Sequence, residues 1–205
     1  MTDPDLDADI RRVTAEWKAL RPAGGFELIM VDPPWNFRSN SAARPGRNAR
    51  AHYRCQSLDW IKALPVREVL AAKDAVVWLW TTNPFLRIAF DVLDAWGCPY
   101  STKGEWVKTT KGGGLAFGTG YTFRNCDEPW LISRIGRPKT TRSVRSVVFG
   151  QVREHSRKPE EAYAAAEALL PGVRRIDVFS RQSRPGWTAW GDQSGTFDAN
   201  EGVEA

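Results

Sequence analysis

A carboxylate followed by two prolines and an indole, Asp32-Pro33-Pro34-Trp35, is the stretch of this sequence best suited to chemistry. It ends the apolar run Phe26-Glu27-Leu28-Ile29-Met30-Val31, which is long enough for a buried strand. Proline cannot extend a β ladder, so the strand must stop with Asp32 at its carboxyl end. In open α/β sheets, that edge is where ligands bind. Two prolines fix φ and leave the Pro33 carbonyl without a competing local amide, so carboxylate and carbonyl are expected to stand as two rigid acceptors with the Trp35 ring behind them. Two acceptors beside an aromatic face suit a planar base that carries an amino group. Asp-Pro-Pro is also ordinary loop punctuation after a strand, so its meaning depends on what accompanies it elsewhere in the chain.

The elements that must position this motif alternate between helix and strand. Residues 3–20 read as an amphipathic helix, with Ile10, Val13, Trp17 and Leu20 at helical spacing and aspartates at its start. Arg21-Pro22-Ala23-Gly24-Gly25 breaks it before the central strand. Residues 36–54 are polar and aperiodic, longer than most connections in a compact domain, and long ordered loops are often functional. A short helix near Leu58–Ile61 and a buried strand Ala75–Trp80 follow, then a helix from Pro84 stopped by Gly97. Strand patterns recur at 100–108, 129–135, 144–149 and 174–179, and a helix begins at Pro159. Trp187–Trp190 forms a closing hydrophobic element. The glycine-rich stretch 111–125 lacks the Gly-Lys-Ser/Thr ending of a phosphate loop and reads as a mobile connection.

A chain of 205 residues with 42% hydrophobic content can bury one ordinary core. We expect a domain over 26–197, preceded by a helix and linker at 1–25 and followed by a flexible tail at 198–205. Most of the ten tryptophans sit in apolar runs and read as core, Trp35 being the exception. Three widely spaced cysteines, accompanied by two histidines, argue against zinc or a disulfide framework, so no metal is expected. With no membrane-length apolar run and no signal pattern, a cytoplasmic protein without membrane attachment is expected. Net charge is +5, and arginines cluster at 38–54 and 134–145, which suits a polyanionic partner but also an ordinary basic face.

Three separated segments, taken together, resemble the MT-A70 family of adenine methyltransferases. They are Asp32-Pro33-Pro34-Trp35, the stretch Glu154 to Glu161 with Tyr163, and Asp177-Val178-Phe179-Ser180-Arg181 leading to Pro185-Gly186-Trp187 and Gly191-Asp192-Gln193. The likeness runs from about Phe26 to Gln193, and the order of the three is more specific than any one of them. It implies an α/β fold of the Rossmann-like methyltransferase type: a mostly parallel, seven-stranded sheet in permuted order, with the catalytic motif before the cofactor motif. It also implies S-adenosylmethionine as cofactor and transfer of its methyl group to the exocyclic amine of adenine in DNA or RNA.

By the same resemblance, Asp32, Pro33, Pro34 and Trp35 carry catalysis. Lys158 would pair with the methionine carboxylate of the cofactor and Asp177 with its ribose diol, while Phe179, Arg181, Asp192 and Gln193 line the rest of that site, to which Asp32 also belongs. Trp35 and Tyr53 would stack on the target base, with Asn125 and Glu128 near it. Arg38, Arg44, Arg47 and Arg50 are expected on phosphates. The family commonly has Asn where Asp192 stands and often Glu where Asp177 stands, and its cofactor contact upstream of the central strand has no clear counterpart in 9–25.

DNA is the preferred nucleic-acid substrate because the chain is compact and lacks evident RNA-binding modules, with RNA possible; a homo- or hetero-dimer is also possible. The rival classes are an inactive, scaffolding relative, against which the intact Asp32 motif argues, and a basic binding module without enzymatic activity, against which the cofactor motif argues.

Overall fold

The computed structural model describes residues 4–35, 56–120, 122–154 and 156–198. Seven strands, β1 (Phe26–Val31), β2 (Ala71–Trp80), β3 (Tyr100–Thr109), β4 (Asp127–Ile135), β5 (Val147–Gln151), β6 (Arg175–Val178) and β7 (Trp187–Trp190), form one sheet in the order β5-β3-β4-β2-β1-β6-β7. β1 pairs in parallel with β2 and β6, β6 with β7, and β3 with β5. Only β4 runs the other way, antiparallel to both β2 and β3. The sheet is therefore mostly parallel, with β1 near its centre and the carboxyl ends of six strands on one edge.

Alternation along the central strands builds two cores, because successive side chains of a strand point to opposite faces. Ile29 and Val31 of β1 and Val77 and Leu79 of β2 face one core, shared with helices α1 (Pro4–Leu20), α2 (Leu58–Lys62) and α3 (Leu86–Ala95). Leu28, Met30, Val76, Trp78 and Trp80 face the other, shared with α4 (Glu160–Leu169). Trp78 stacks on Trp130 at 4.5 Å, and Trp80 meets the same ring edge-on at 5.0 Å. The α1 helix is built into the first core through Val13 and Trp17, both fully buried. Residues 199–205, most of the expected tail, lie outside the described residues.

The expected strand at 75–80 begins earlier, at Ala71, and is preceded by a π-helical turn, Val66–Leu70. Lys73 and Asp74 are exposed where the register between β1 and β2 shifts, so their charges interrupt the apolar run without ending the strand. Among the described residues no helix is long and apolar enough to cross a membrane.

Candidate active site

Three segments that meet at the carboxyl edge, the end of β1, the start of β4 and the approach to α4, each deliver a charged group. β1 ends at Val31, and the Asp32 N–H donates to the Val178 carbonyl of β6 at 3.2 Å, carrying the ladder one residue further and fixing Asp32 beside β6. Glu128 reaches the same edge because β4 is antiparallel and begins there. Lys158 lies just before α4, whose extended residue Pro159 sets the helix start. Lys158 Nζ then stands 2.8 Å from Asp32 Oδ2 and 2.7 Å from Glu128 Oε1, and Lys108 Nζ lies 2.8 Å from Glu128 Oε2.

This chain of alternating charges sets the protonation states. Burial pushes the Asp32 carboxyl up and the Glu128 charge adds to it, against the pull of Lys158. Burial would also raise Glu128, but Lys158 and Lys108 outweigh it and hold the carboxyl at about 2. Burial opposes the charge on Lys158, yet its two carboxylate partners raise its pKa, so it stays an ammonium. Asp177 is different: burial, only partly offset by its hydrogen bonds with Tyr163 and Ser180, lifts it to about 6.

Above these groups lies an open cleft of about 760 Å³, counting the solvent in its mouth. Asp32, Pro34, Phe179, Arg181, Asp192 and Gln193 line it, as expected residues from distant parts of the chain, together with Ser156 of the second motif segment and with Arg12, Gln56, Trp60 and Trp190, to which the sequence assigned no role in the site. A smaller pocket beneath shares Asp32, Phe179 and Arg181 and adds Lys158, Asp177, Trp80 and Tyr163. Phe179 has φ of 65° and Ser156 of 61°, a left-handed backbone that costs about 1–2 kcal/mol per non-glycine residue. Phe179 is held there by its N–H, which donates to the Trp190 carbonyl at 2.6 Å, and by Gly191, where a Cβ would come within 2.9 Å of the Phe179 Cα. Strain of this kind gathers at ligand clamps.

The far wall of the cleft is α1. Asp9, Arg12 and Glu16 form a polar stripe on one side of the helix, with Arg12 bonded to Asp9 at 3.1 Å and to Glu16 at 2.7 Å. The same two carboxylates accept the indole N–H of Trp60 at 3.1 Å and of Trp190 at 2.9 Å. The i, i+3, i+7 spacing of these three charged residues was the only sequence signal for this wall, and it does not say what the stripe faces.

Several placements differ from expectation. Trp35 is 3% exposed, packs at a tilt on Phe85 with ring centroids 5.3 Å apart and donates its indole N–H to the Trp80 carbonyl at 3.3 Å, so it is a core side chain rather than an open platform for a base. The Pro33 carbonyl does have a local partner: the Trp35 N–H donates to it at 2.7 Å across a tight turn, leaving one lone pair. Lys158 faces the smaller pocket with two protein carboxylates on its ammonium. Asp177 is also in that pocket, 3% exposed, and accepts from Tyr163 Oη at 2.8 Å, where an open ribose acceptor was expected. Asn125 is half-buried in the loop before β4 and lines neither cavity. Tyr53, Arg38, Arg44, Arg47 and Arg50 lie outside the described residues. The second basic cluster, 134–145, begins at the end of antiparallel β4 and is thus on the opposite edge of the sheet from Asp32.

The donor set fits an elongated nucleoside cofactor with a zwitterionic tail. Carboxylates at Asp32 and Asp192 suit an ammonium or hydroxyls, Arg181 suits a carboxylate, Arg12 is already paired with Asp9 and Glu16, and Phe179, Trp60 and Trp190 offer apolar faces to a ring. Among the described residues no three His, Cys, Asp or Glu side chains are grouped to hold a metal ion.

A family model described as MT-A70 matches residues 26–193. The chain is 29% identical over 188 residues to an Arabidopsis thaliana protein named N(6)-adenosine-methyltransferase MT-A70-like, covering 89% of this chain and 26% of that one. It is 30% identical to the N6-methyladenosine RNA methyltransferase MTA1 of Cryphonectria parasitica, covering 86% of this chain and 54% of that one. To the N(6)-adenine-specific methyltransferase METTL4 of Mus musculus it is 26% identical, covering 82% and 37%. The chain spans between about a quarter and about half of the length of these relatives.

Proposed function

The chain belongs to the MT-A70 family, and from that premise we propose that it is an S-adenosylmethionine-dependent methyltransferase of the exocyclic amine of adenine in nucleic acid. The observation that carries this reading is the position of the Asp32 carboxylate: at the end of the central strand, shared by the large cleft and the pocket beneath it, and tethered to Lys158 at 2.8 Å. DNA is the first substrate in this reading. RNA is the second, favoured by the likeness to the RNA methyltransferase MTA1 of Cryphonectria parasitica.

S-adenosylmethionine supplies an electrophilic methyl group on a sulfonium leaving group, so the protein has mainly to position and polarise the amine. Adenine's amine is a weak nucleophile because its lone pair is delocalised into the ring. Asp32 Oδ1 and the remaining lone pair of the Pro33 carbonyl accept its two N–H bonds, which returns the lone pair to nitrogen. Lys158 holds Oδ2 and so fixes the rotation of the carboxylate. The methylated amine must shed a proton, and the Asp32 carboxylate, already hydrogen-bonded to that amine in this reading and made more basic by burial, can accept it, a secondary role beside positioning.

Within the same reading Lys158 has three donors, of which Asp32 and Glu128 use two, and the third, on an ammonium that also lies 5.2 Å over the Trp80 ring, would turn to the cofactor's carboxylate beside Arg181. Phe179, Asp192 and Gln193 line the remainder of the cofactor's path, and Arg12 is added from outside the matched segment. Transfer of tritium from labelled cofactor to matched DNA and RNA oligonucleotides tests the proposal. Label in neither would remove it.

A further inference from the structure

Between β3 and β4 the chain makes a loop that leaves three large apolar side chains in water: Leu115 is 62% exposed, Phe117 81% and Phe123 80%. The loop is laced rather than open. Thr109 bridges to Leu115, the Ala116 N–H donates to the Lys108 carbonyl at 2.8 Å, and the Lys108 N–H donates to the Cys126 carbonyl at 2.7 Å. Gly118 lies so close to the Asn125 carbonyl that a Cβ there would collide with it, which ties the outgoing arm to the returning one. Arg124 Nη1 donates to the Gly120 carbonyl at 3.0 Å and sets its guanidinium over the Phe117 ring at 5.5 Å. Two phenyl rings are thus carried outward on a braced support, with one cation stacked on the first.

The loop also has a definite place. Its returning arm runs directly into Asp127 and Glu128, and Glu128 is bonded through Lys158 to Asp32. The rings therefore stand on the Asp32 edge of the sheet, beside the point where the acceptor base has to enter.

We propose that Phe117, Phe123 and Arg124 form a stacking platform for unpaired nucleotides flanking the target adenine. Every base has a π-face that can lie on a phenyl ring, a guanidinium can stack or meet a phosphate, and Lys111 in the same loop adds a second cation. A second copy of this chain is the weaker occupant: a two-fold pairing of this surface would gather the cations of both copies, Arg124 and Lys111 from each, into one interface. Paired bases hide their faces, so the platform selects single strands or locally opened duplexes. This inference rests on the nucleic-acid reading above and extends it to the form of the substrate.

The test is fluorescence anisotropy with a short labelled single strand containing adenine, as DNA and as RNA, against the intact chain and the F117A/F123A variant. Both rings are about four-fifths exposed, so the variant should fold. Its dissociation constant should rise about 5-fold or more for the single strand, stay unchanged for a fully paired duplex, and leave cofactor affinity untouched, while F117W/F123W should keep the wild-type value. Equal affinity of wild type and F117A/F123A for the single strand, with wild-type methyl transfer intact, would overturn the platform alone. A wild-type dimer in sedimentation that F117A/F123A abolishes without any change in affinity would overturn it in favour of a second copy. A wild type that binds no nucleic acid would overturn both this inference and the reading beneath it.

Discussion

Lys158 Nζ stands 2.8 Å from Asp32 Oδ2, and the same ammonium is 2.7 Å from Glu128 Oε1. The residue expected to receive the cofactor's carboxylate is thus already the clasp between two carboxylates of the protein, Glu128 buried and Asp32 half-buried. Lys158→Met should leave Asp32 without its bonded cation and Glu128 with Lys108 alone, a loss of about 3 kcal/mol. Urea unfolding checks this, and adding Glu128→Gln should recover part of the loss. A single-variant loss below about 1 kcal/mol would make Lys158 an ordinary surface cation.

Asp177 gives a pH dependence of definite sign. Its carboxyl is raised from 3.8 to about 6, chiefly by burial. In that interval the folded state keeps a proton that the unfolded state has lost, so the contribution to stability is full below the unfolded value and is lost as pH rises through about 6. Asp177→Asn keeps an acceptor for Tyr163 and removes the titration. The stability of wild type relative to this variant should fall by about 2–3 kcal/mol between pH ~4 and ~7. A flat difference across that range would mean that Asp177 is ionised in the fold at its ordinary pKa.

Trp35 separates a core role from a substrate role. Trp35→Phe removes the bond to the Trp80 carbonyl and part of a buried ring, and should cost about 1–3 kcal/mol in thermal or urea unfolding. Unchanged stability together with weakened nucleic-acid binding would return the ring to the base.

The sequence made β1, α1, α3 and α4 legible because their apolar positions recur with one clear period, and it located Asp32 because Pro33 and Pro34 end a strand wherever they fall. The reversed direction of β4 was not legible. Its run Asp127–Ile135 is buried on both faces, and such a run carries no mark of its direction. The burial of Trp35 was not legible because an indole beside a motif and an indole in a core look alike as residue types; it follows from Phe85 and Trp80, which are distant in sequence. Arg12, Trp60 and Trp190 were missed for a related reason. Their shared hydrogen bonds through Asp9 and Glu16 join three elements, and neither spacing nor composition encodes that meeting.

In the proposed function, the Asp32 carboxylate is the acceptor that readies an adenine amine for methylation. The most direct measurement of that role is transfer of labelled methyl from S-adenosylmethionine to adenine-containing oligonucleotides by wild type and Asp32→Ala, with digestion to nucleosides and mass spectrometry of the product, and calorimetry of cofactor binding to both proteins. Wild type should place the label on the N6 position of adenine. Asp32→Ala should transfer none while still binding cofactor at reduced affinity. Near-normal transfer by Asp32→Ala, or label on any other position of the base, would contradict the account.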